Sequence, residues 1–132
     1  MKRPNGHNGM PGGYTLKRIN MNFSESLKKN REFRNVYQNG KSYANRYLVM
    51  YIMKNDFNKN RVGISVSKKI GNSIVRHRLT RLIRESYRLN EDKFLCGYDI
   101  VIISRIGAKG RGYREIESAL IHLGNLHRII ES

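Results

Sequence analysis

The sequence predicts an α+β domain, a two-layer sandwich of helices on a mixed four-stranded sheet, and three observations carry that prediction. Side chains at residues 47–53 and 61–67 alternate with the period of two of a strand, and residues 98–104 are apolar on both parities. Residues 75–83 and 113–123 instead repeat apolar side chains every three or four positions, as amphipathic helices do. The two kinds of segment interleave in the order α-β-β-β-α-β-α, which favours helices packed on one sheet over separate all-α and all-β parts. A length of 132 residues suits one domain with one real core.

Each element has its own justification. Residues 1–20 hold both prolines, Pro4 and Pro11, among Gly, Asn and basic residues, and are expected to be a flexible extension, natural or appended. The single compact domain is then residues 21–132. Asn30 is expected to cap a helix over residues 31–38 that Gly40 closes, with Phe33, Val36 and Tyr37 on one face. A brief extended segment at 42–44 leads into 47–53, where Leu48, Met50 and Ile52 alternate with Tyr47, Val49 and Tyr51. A turn at 56–60 separates this strand from 61–67, and the pair reads as a hairpin. Gly71, Asn72 and Ser73 supply a turn and a capping oxygen before a helix whose inward stripe is Val75, Leu79, Leu82 and Ile83. The doubly apolar segment at 98–104 is expected to be a central strand. A glycine-rich loop at 106–112 precedes a last helix from about Tyr113, with Ile116, Leu120, Ile121 and Leu123 turned inward. Leu126, Ile129 and Ile130 are expected to form a separate last turn.

Charge narrows the function. With 26 Lys and Arg against 10 acids the chain carries a formal net charge of +16, which favours a nucleic-acid partner. The pattern is sharper than the total. His77, Arg81, Arg84 and Arg88 form a second stripe on the helix that follows Asn72, flanked by Arg76 and Arg78, with Lys68 and Lys69 just ahead of it and Glu85 as the one acid. Like charges this close repel by a few tenths of a kcal/mol or so per pair, and planar guanidinium groups suit phosphate oxygens. A polyanion relieves the repulsion; a merely solvated basic face is the bland alternative.

Other classes fare worse. No apolar run is long enough to span a bilayer and no signal-peptide pattern is present, so a cytoplasmic protein without a membrane partner is expected. Cys96 is the one cysteine, which excludes an intrachain disulfide and suits a packing role. Phosphodiester hydrolysis by side chains needs a paired acid and base or carboxylates around metals. Asp92 and Asp99 do not converge, Glu115 and Glu117 lie on different helix faces, and His122 and His127 are not a same-face pair. His77, among arginines, reads as a hydrogen-bonding partner for RNA rather than a catalyst.

The basic segment resembles the protein subunit of bacterial ribonuclease P, whose signature runs roughly K-x-G-N-A-V-x-R-N-R-x-K-R-x-x-R. Lys69, Gly71, Asn72, Arg76, Arg78, Arg81 and Arg84 stand in its places, while Ser73, His77 and Thr80 depart from it. The resemblance extends from about Asn22 to Arg128 through KKNREFRNVYQNG, ANRYLVMY, RVGISVSKKIGN and YDIVIISR. It implies the ribosomal protein S5 domain 2-like fold, with a left-handed β-α-β crossover around the basic helix, against a strong right-handed prior. It also implies that an RNA subunit is catalytic with Mg²⁺, that the protein alone binds no cofactor or small-molecule substrate, and that it acts in removing the 5′ leader of precursor tRNA. Lys68, Lys69, Asn72, Arg76, His77, Arg78, Arg81, Arg84 and Arg88 would bind the catalytic RNA.

The leader would lie between the first helix and the sheet, against Arg31, Phe33, Arg34, Tyr37, Lys41, Tyr43, Asn45, Arg46 and Tyr51. Aromatic faces for bases beside cations for phosphates are what single-stranded RNA needs, although Phe33 and Tyr37 also read as ordinary core aromatics. Two other functions share the charge pattern: a non-catalytic ribosomal or RNA-chaperone protein and, more distantly, an autonomous protein nuclease.

Overall fold

The strand that is apolar on both parities sets the architecture. In the computed structural model, which describes residues 24–131, the elements are β1 (Ser24–Ser26), α1 (Asn30–Asn39), β2 (Lys41–Ala44), β3 (Leu48–Lys54), β4 (Asn60–Ser65), α2 (Ser73–Asn90), β5 (Tyr98–Ser104) and α3 (Tyr113–Leu126). The sheet order is β1-β4-β5-β3-β2, with β5 in the middle. Ile100, Val101 and Ile102 are all fully buried, so both faces of β5 must be covered. On one face α2 and α3 pack over Leu48, Met50, Ile100 and Ile102, forming the sandwich that the pattern predicts. On the other, α1 brings Val36 and Phe33 over Val101 and Tyr51. The expected extension at residues 1–20 lies outside the described residues.

Three expectations are corrected. The sheet has five strands, because Ser24–Ser26 pairs parallel with β4, and a three-residue Ser-Glu-Ser segment has no alternation to betray it. The chain therefore starts this series of elements with a strand. The segments at 47–53 and 61–67 are not a hairpin: β5 lies between them, antiparallel to β3 and parallel to β4. The intervening link is held across that extra strand by Asn55, whose backbone N–H donates to Gly97 O (2.9 Å) and whose side-chain Nδ2 donates to Asp99 Oδ1 (2.8 Å). Residues 129–130 are not a helical turn. Arg128 reverses the chain in the left-handed region (φ 62°), and Ile130 then bridges Phe94 in antiparallel fashion. Gly124 permits this, since a Cβ there would stand 2.8 Å from Ile130 Cδ1.

The first helix also starts differently. Asn30 lies within α1 and Lys29 is the cap position. The Glu32 carboxylate accepts from the backbone N–H groups of Lys28 (3.1 Å) and Lys29 (3.0 Å), so the orphan donors are met from within the first turn. Those hydrogen bonds hold the Glu32 carboxyl below its ordinary pKa. Arg61 of β4 reaches the same carboxylate at 3.2 Å and forms a two-pronged pair with the buried Asp99 of β5, at 2.9 and 2.7 Å. The helix is thereby tied to two strands. Its Phe33 ring lies directly on Gly63, where a Cβ would be 2.5 Å from Phe33 Cζ.

The opposite layer is closed by polar links as well as by its core. Asn90 of α2 donates to Glu117 Oε2 of α3 at 2.8 Å, and the Tyr113 hydroxyl donates to the same oxygen at 3.0 Å. Burial first, and that bond second, push the Tyr113 hydroxyl up to about 12. Just past α3, His127 Nε2 donates to Met50 O (2.8 Å) and the ring packs edge-on against Tyr43, with centroids 4.7 Å apart.

Gly63→Ala is expected to lower stability by about 1–3 kcal/mol, because the added methyl overpacks the Phe33 contact. Combining it with Phe33→Leu is expected to cost less than the sum of the two single changes in urea unfolding. His127 supplies a pH test. Burial lowers its pKa from 6.5, and its buried Nδ1 has no hydrogen-bond partner among the described residues for an added proton. The unfolded chain therefore takes up a proton near pH 6.5 that the folded chain resists, so this contribution is whole above that pH and fades below it. Unfolding free energy should fall as the pH drops through about 6.5, and His127→Gln should flatten that part of the profile.

Candidate nucleic-acid interface

The basic helix is aimed by its apolar stripe. Leu79 and Ile83 are fully buried, Val75 and Leu82 are partly buried against the same cluster, and Asn72 Oδ1 accepts from Val75 N–H at 3.0 Å to set the start. His77, Arg78 and Arg81 are consequently exposed, with Arg84 half-buried beside them. They line one shallow groove along α2 together with Thr80 and Glu85. Ile70, buried, anchors the preceding turn and leaves Lys68 and Lys69 exposed.

The members of this row are not equivalent. Arg76 Nε donates to Gly71 O (3.2 Å), and Arg78 Nη2 to Arg111 O (3.0 Å), so both also brace loops. Arg88 is engaged by Glu85 through two contacts, at 3.1 and 2.6 Å, and the Glu85 carboxyl is held below its ordinary pKa by that guanidinium. Thr80, where the resemblance expects a lysine, donates to Arg76 O at 2.9 Å within its own helix. Asn72 spends its carbonyl oxygen on the cap. The cations presented outward are therefore chiefly Lys68, Lys69, Arg81 and Arg84, with His77 between them.

The second surface lies on the other face of the sheet. Tyr37 and Tyr51 meet edge-to-face with centroids 5.1 Å apart, and Tyr37 remains 38% exposed. The groove beside them is lined by Leu27, Lys28, Asn30, Phe33, Arg34 and Ser65, among others. Burial raises the Tyr37 hydroxyl above its ordinary pKa, which keeps it a donor. Arg31 is exposed on the same helix but does not line the groove. Lys28, Asn30 and Ser65 were not expected there. For Ser65, its shared parity with Gly63 was the available signal.

Four residues expected in this groove lie elsewhere. Tyr43 stands opposite Met50 in the antiparallel β2–β3 pair, not opposite Tyr51, and Lys41 stands opposite Ile52. Directly opposed residues share a face, so both side chains join the α2–α3 side. There Tyr43 packs on His127, and Lys41 Nζ lies 5.4 Å from the Tyr43 ring centroid. Asn45 donates to Ala119 O of α3 at 3.0 Å, and Arg46 lines a separate groove against α3. A shift of one residue in register reverses a side chain's face, and sequence alternation alone did not fix it for so short a strand.

Among the described residues, no three His, Cys, Asp or Glu side chains come together as a metal cage, and no helix is long and apolar enough to cross a membrane.

Comparison with known proteins agrees with this geometry. The sequence model of the family described as ribonuclease P matches residues 21–127. The ribonuclease P protein component of Lachnoclostridium phytofermentans is 64% identical over 109 residues, covering 83% of this chain and 94% of that protein. That of Clostridioides difficile is 49% identical over 106 residues, covering 80% and 93%. Among solved structures, the Staphylococcus aureus RNase P protein matches with a TM-score of 0.74 at 36% identity, covering 80% of this chain and 97% of that one. The Thermotoga maritima protein matches with a TM-score of 0.72 at 31% identity, covering 77% and 96%. Sequence and fold thus agree along nearly the whole described chain, which belongs to the ribonuclease P protein family.

Proposed function

We propose that this protein is the RNA-binding subunit of a ribonuclease P ribonucleoprotein, the endoribonuclease that removes 5′ leaders from precursor tRNA. The RNA subunit carries the catalysis with Mg²⁺, and the protein holds RNA on two sides. One observation supports this above others: the guanidinium row of α2 and the aromatic groove of α1 lie on opposite faces of one sheet. Two RNA segments can therefore be held at once without competing. The row suits phosphates of a folded RNA. The groove offers ring faces to unpaired bases and Arg34 and Lys28 to their backbone, which suits a single-stranded leader.

Reconstitution with a bacterial ribonuclease P RNA at low Mg²⁺ tests this reading. Stimulated cleavage of precursor tRNA at the 5′ end is expected. No stimulation would leave a ribosomal or chaperone-like RNA binder, and cleavage by the protein alone would make it a nuclease in its own right.

Two variant sets refine it. Arg81→Ala, at an exposed position of α2, is expected to weaken assembly with the catalytic RNA and lower its salt dependence by somewhat under one unit of slope. Its melting temperature should be unchanged. Tyr37→Leu in the groove, or Tyr51→Leu beside it, should cost about 1–3 kcal/mol per stacked base in affinity for precursor tRNA with a leader of several nucleotides. Affinity for mature tRNA should not change. Equal losses for both substrates would make these rings packing residues only.

A further inference from the structure

Arg46, in the turn between β2 and β3, lies away from the α1 groove and belongs to a surface of its own. It meets the loop after β5 and the start of α3, where Arg105, Arg111 and Arg114 are also exposed; Arg111 Nη1 donates to Glu115 Oε2 at 3.3 Å, an exposed pair that a phosphate can displace. The Tyr47 ring sits among these cations, with the Arg46 and Arg111 guanidinium carbons 5.8 and 5.4 Å from its centroid. Guanidinium groups within about 6 Å of a ring are held by its face. The site is rigid. Arg105 donates its backbone N–H to Tyr47 O (2.9 Å) and its Nη1 to Asn45 O (2.8 Å). Asn45 in turn donates to Ala119 O and closes the turn by accepting from the N–H groups of Tyr47 and Leu48. A groove lined by Arg46, Tyr47, Arg114, Ser118 and His122, with Glu115 as its one acid, opens beside it.

We propose that this platform is a second contact for the catalytic RNA, holding an unpaired nucleotide against Tyr47 with its flanking phosphates on Arg111 and Arg114. An aromatic ring ringed by guanidinium groups is the arrangement that grips single-stranded nucleic acid. The partner is the catalytic RNA rather than the leader for two reasons. Arg78 of α2 is bonded to the backbone of Arg111, so the platform adjoins the α2 row at its Arg78. The sheet separates it from the α1 groove, since Asn45 bonds to α3 and Tyr47 packs with the α2–α3 cluster. This inference rests on the reading of α2 as a contact to the catalytic RNA.

The test uses the full chain and a bacterial ribonuclease P RNA. The double variant Arg111→Ala/Arg114→Ala keeps the backbone carbonyl that Arg78 uses, and both side chains are exposed, so the melting temperature should hold. Binding of the RNA is expected to weaken roughly tenfold per lost phosphate contact at about 0.1 M salt, with the salt slope falling by somewhat under two units. Tyr47→Leu should weaken binding without changing the slope, and Tyr47→Phe should restore it. The ratio of affinities for precursor and mature tRNA should match that of the unaltered holoenzyme. RNA affinity within twofold of the parent in the double variant, while Arg81→Ala weakens it, would overturn the platform alone. A changed substrate ratio with RNA assembly intact would overturn it in favour of a substrate contact. Loss in neither the double variant nor Arg81→Ala would overturn the α2 reading as well.

Discussion

Burial of β5 on both faces is the constraint on which the rest of the molecule depends. Ile100, Val101 and Ile102 are consecutive and fully buried, so alternate side chains need separate covers. α2 and α3 cover one set, and α1 covers the other. The separation of the two RNA-suited surfaces follows from that requirement, because a helix that packs on a sheet must present its polar side outward. On α2 the outward side is the guanidinium row; on α1 it borders a groove rimmed by tyrosines. One apolar strand thus sets where each kind of nucleic-acid contact can stand.

The small face has less apolar area to hold its helix, and an ionic cluster supplements it. Asp99 is almost wholly buried and meets Arg61 through two contacts, while Arg61 also reaches the carboxylate that caps α1. A buried pair of this kind gives little net stability after desolvation, yet removing one partner strands a charge. Its value is geometric: it fixes the angle at which α1 approaches the sheet, and so the width of the groove. The Phe33 ring on Gly63 sets the depth in the same region.

Much of this was legible in the sequence. The 3.6-residue period placed α2 and α3 and the orientation of the basic row, and the double apolar parity placed β5 in the centre. Local chemistry placed a capping oxygen among Gly71, Asn72 and Ser73, and Asn72 supplies it, yet Asn30 misled, since the helix begins one residue earlier and the Glu32 carboxylate accepts from the backbone N–H of the cap residue Lys29. Strand neighbours were harder. Chain proximity suggested that β3 pairs with β4, and nothing in either strand says that a later segment will slide between them. The groove was legible in Phe33, Arg34 and Tyr37, which line it, and in Tyr51, which packs on Tyr37 beside it. It was not legible in Lys41 and Tyr43, whose facing depends on one register choice, nor in Asn45 and Arg46, which the turn after β2 carries toward α3. The Tyr47 platform escaped notice because its cations come from segments far apart in the chain and converge only when α3 docks.

The insertion of β5 between β3 and β4 also bears on how the chain comes into being. Those two strands are made early, and neither can complete its pairing until Tyr98–Ser104 has been synthesised. Sheets built on such distant pairings form slowly and leave strand edges open meanwhile. Mutual repulsion within a chain of formal charge +16 opposes collapse during the same interval. A polyanion that binds the folded form alone would draw that equilibrium toward the native state. For a protein of this family, then, folding and the capture of an RNA partner are thermodynamically linked, and each favours the other.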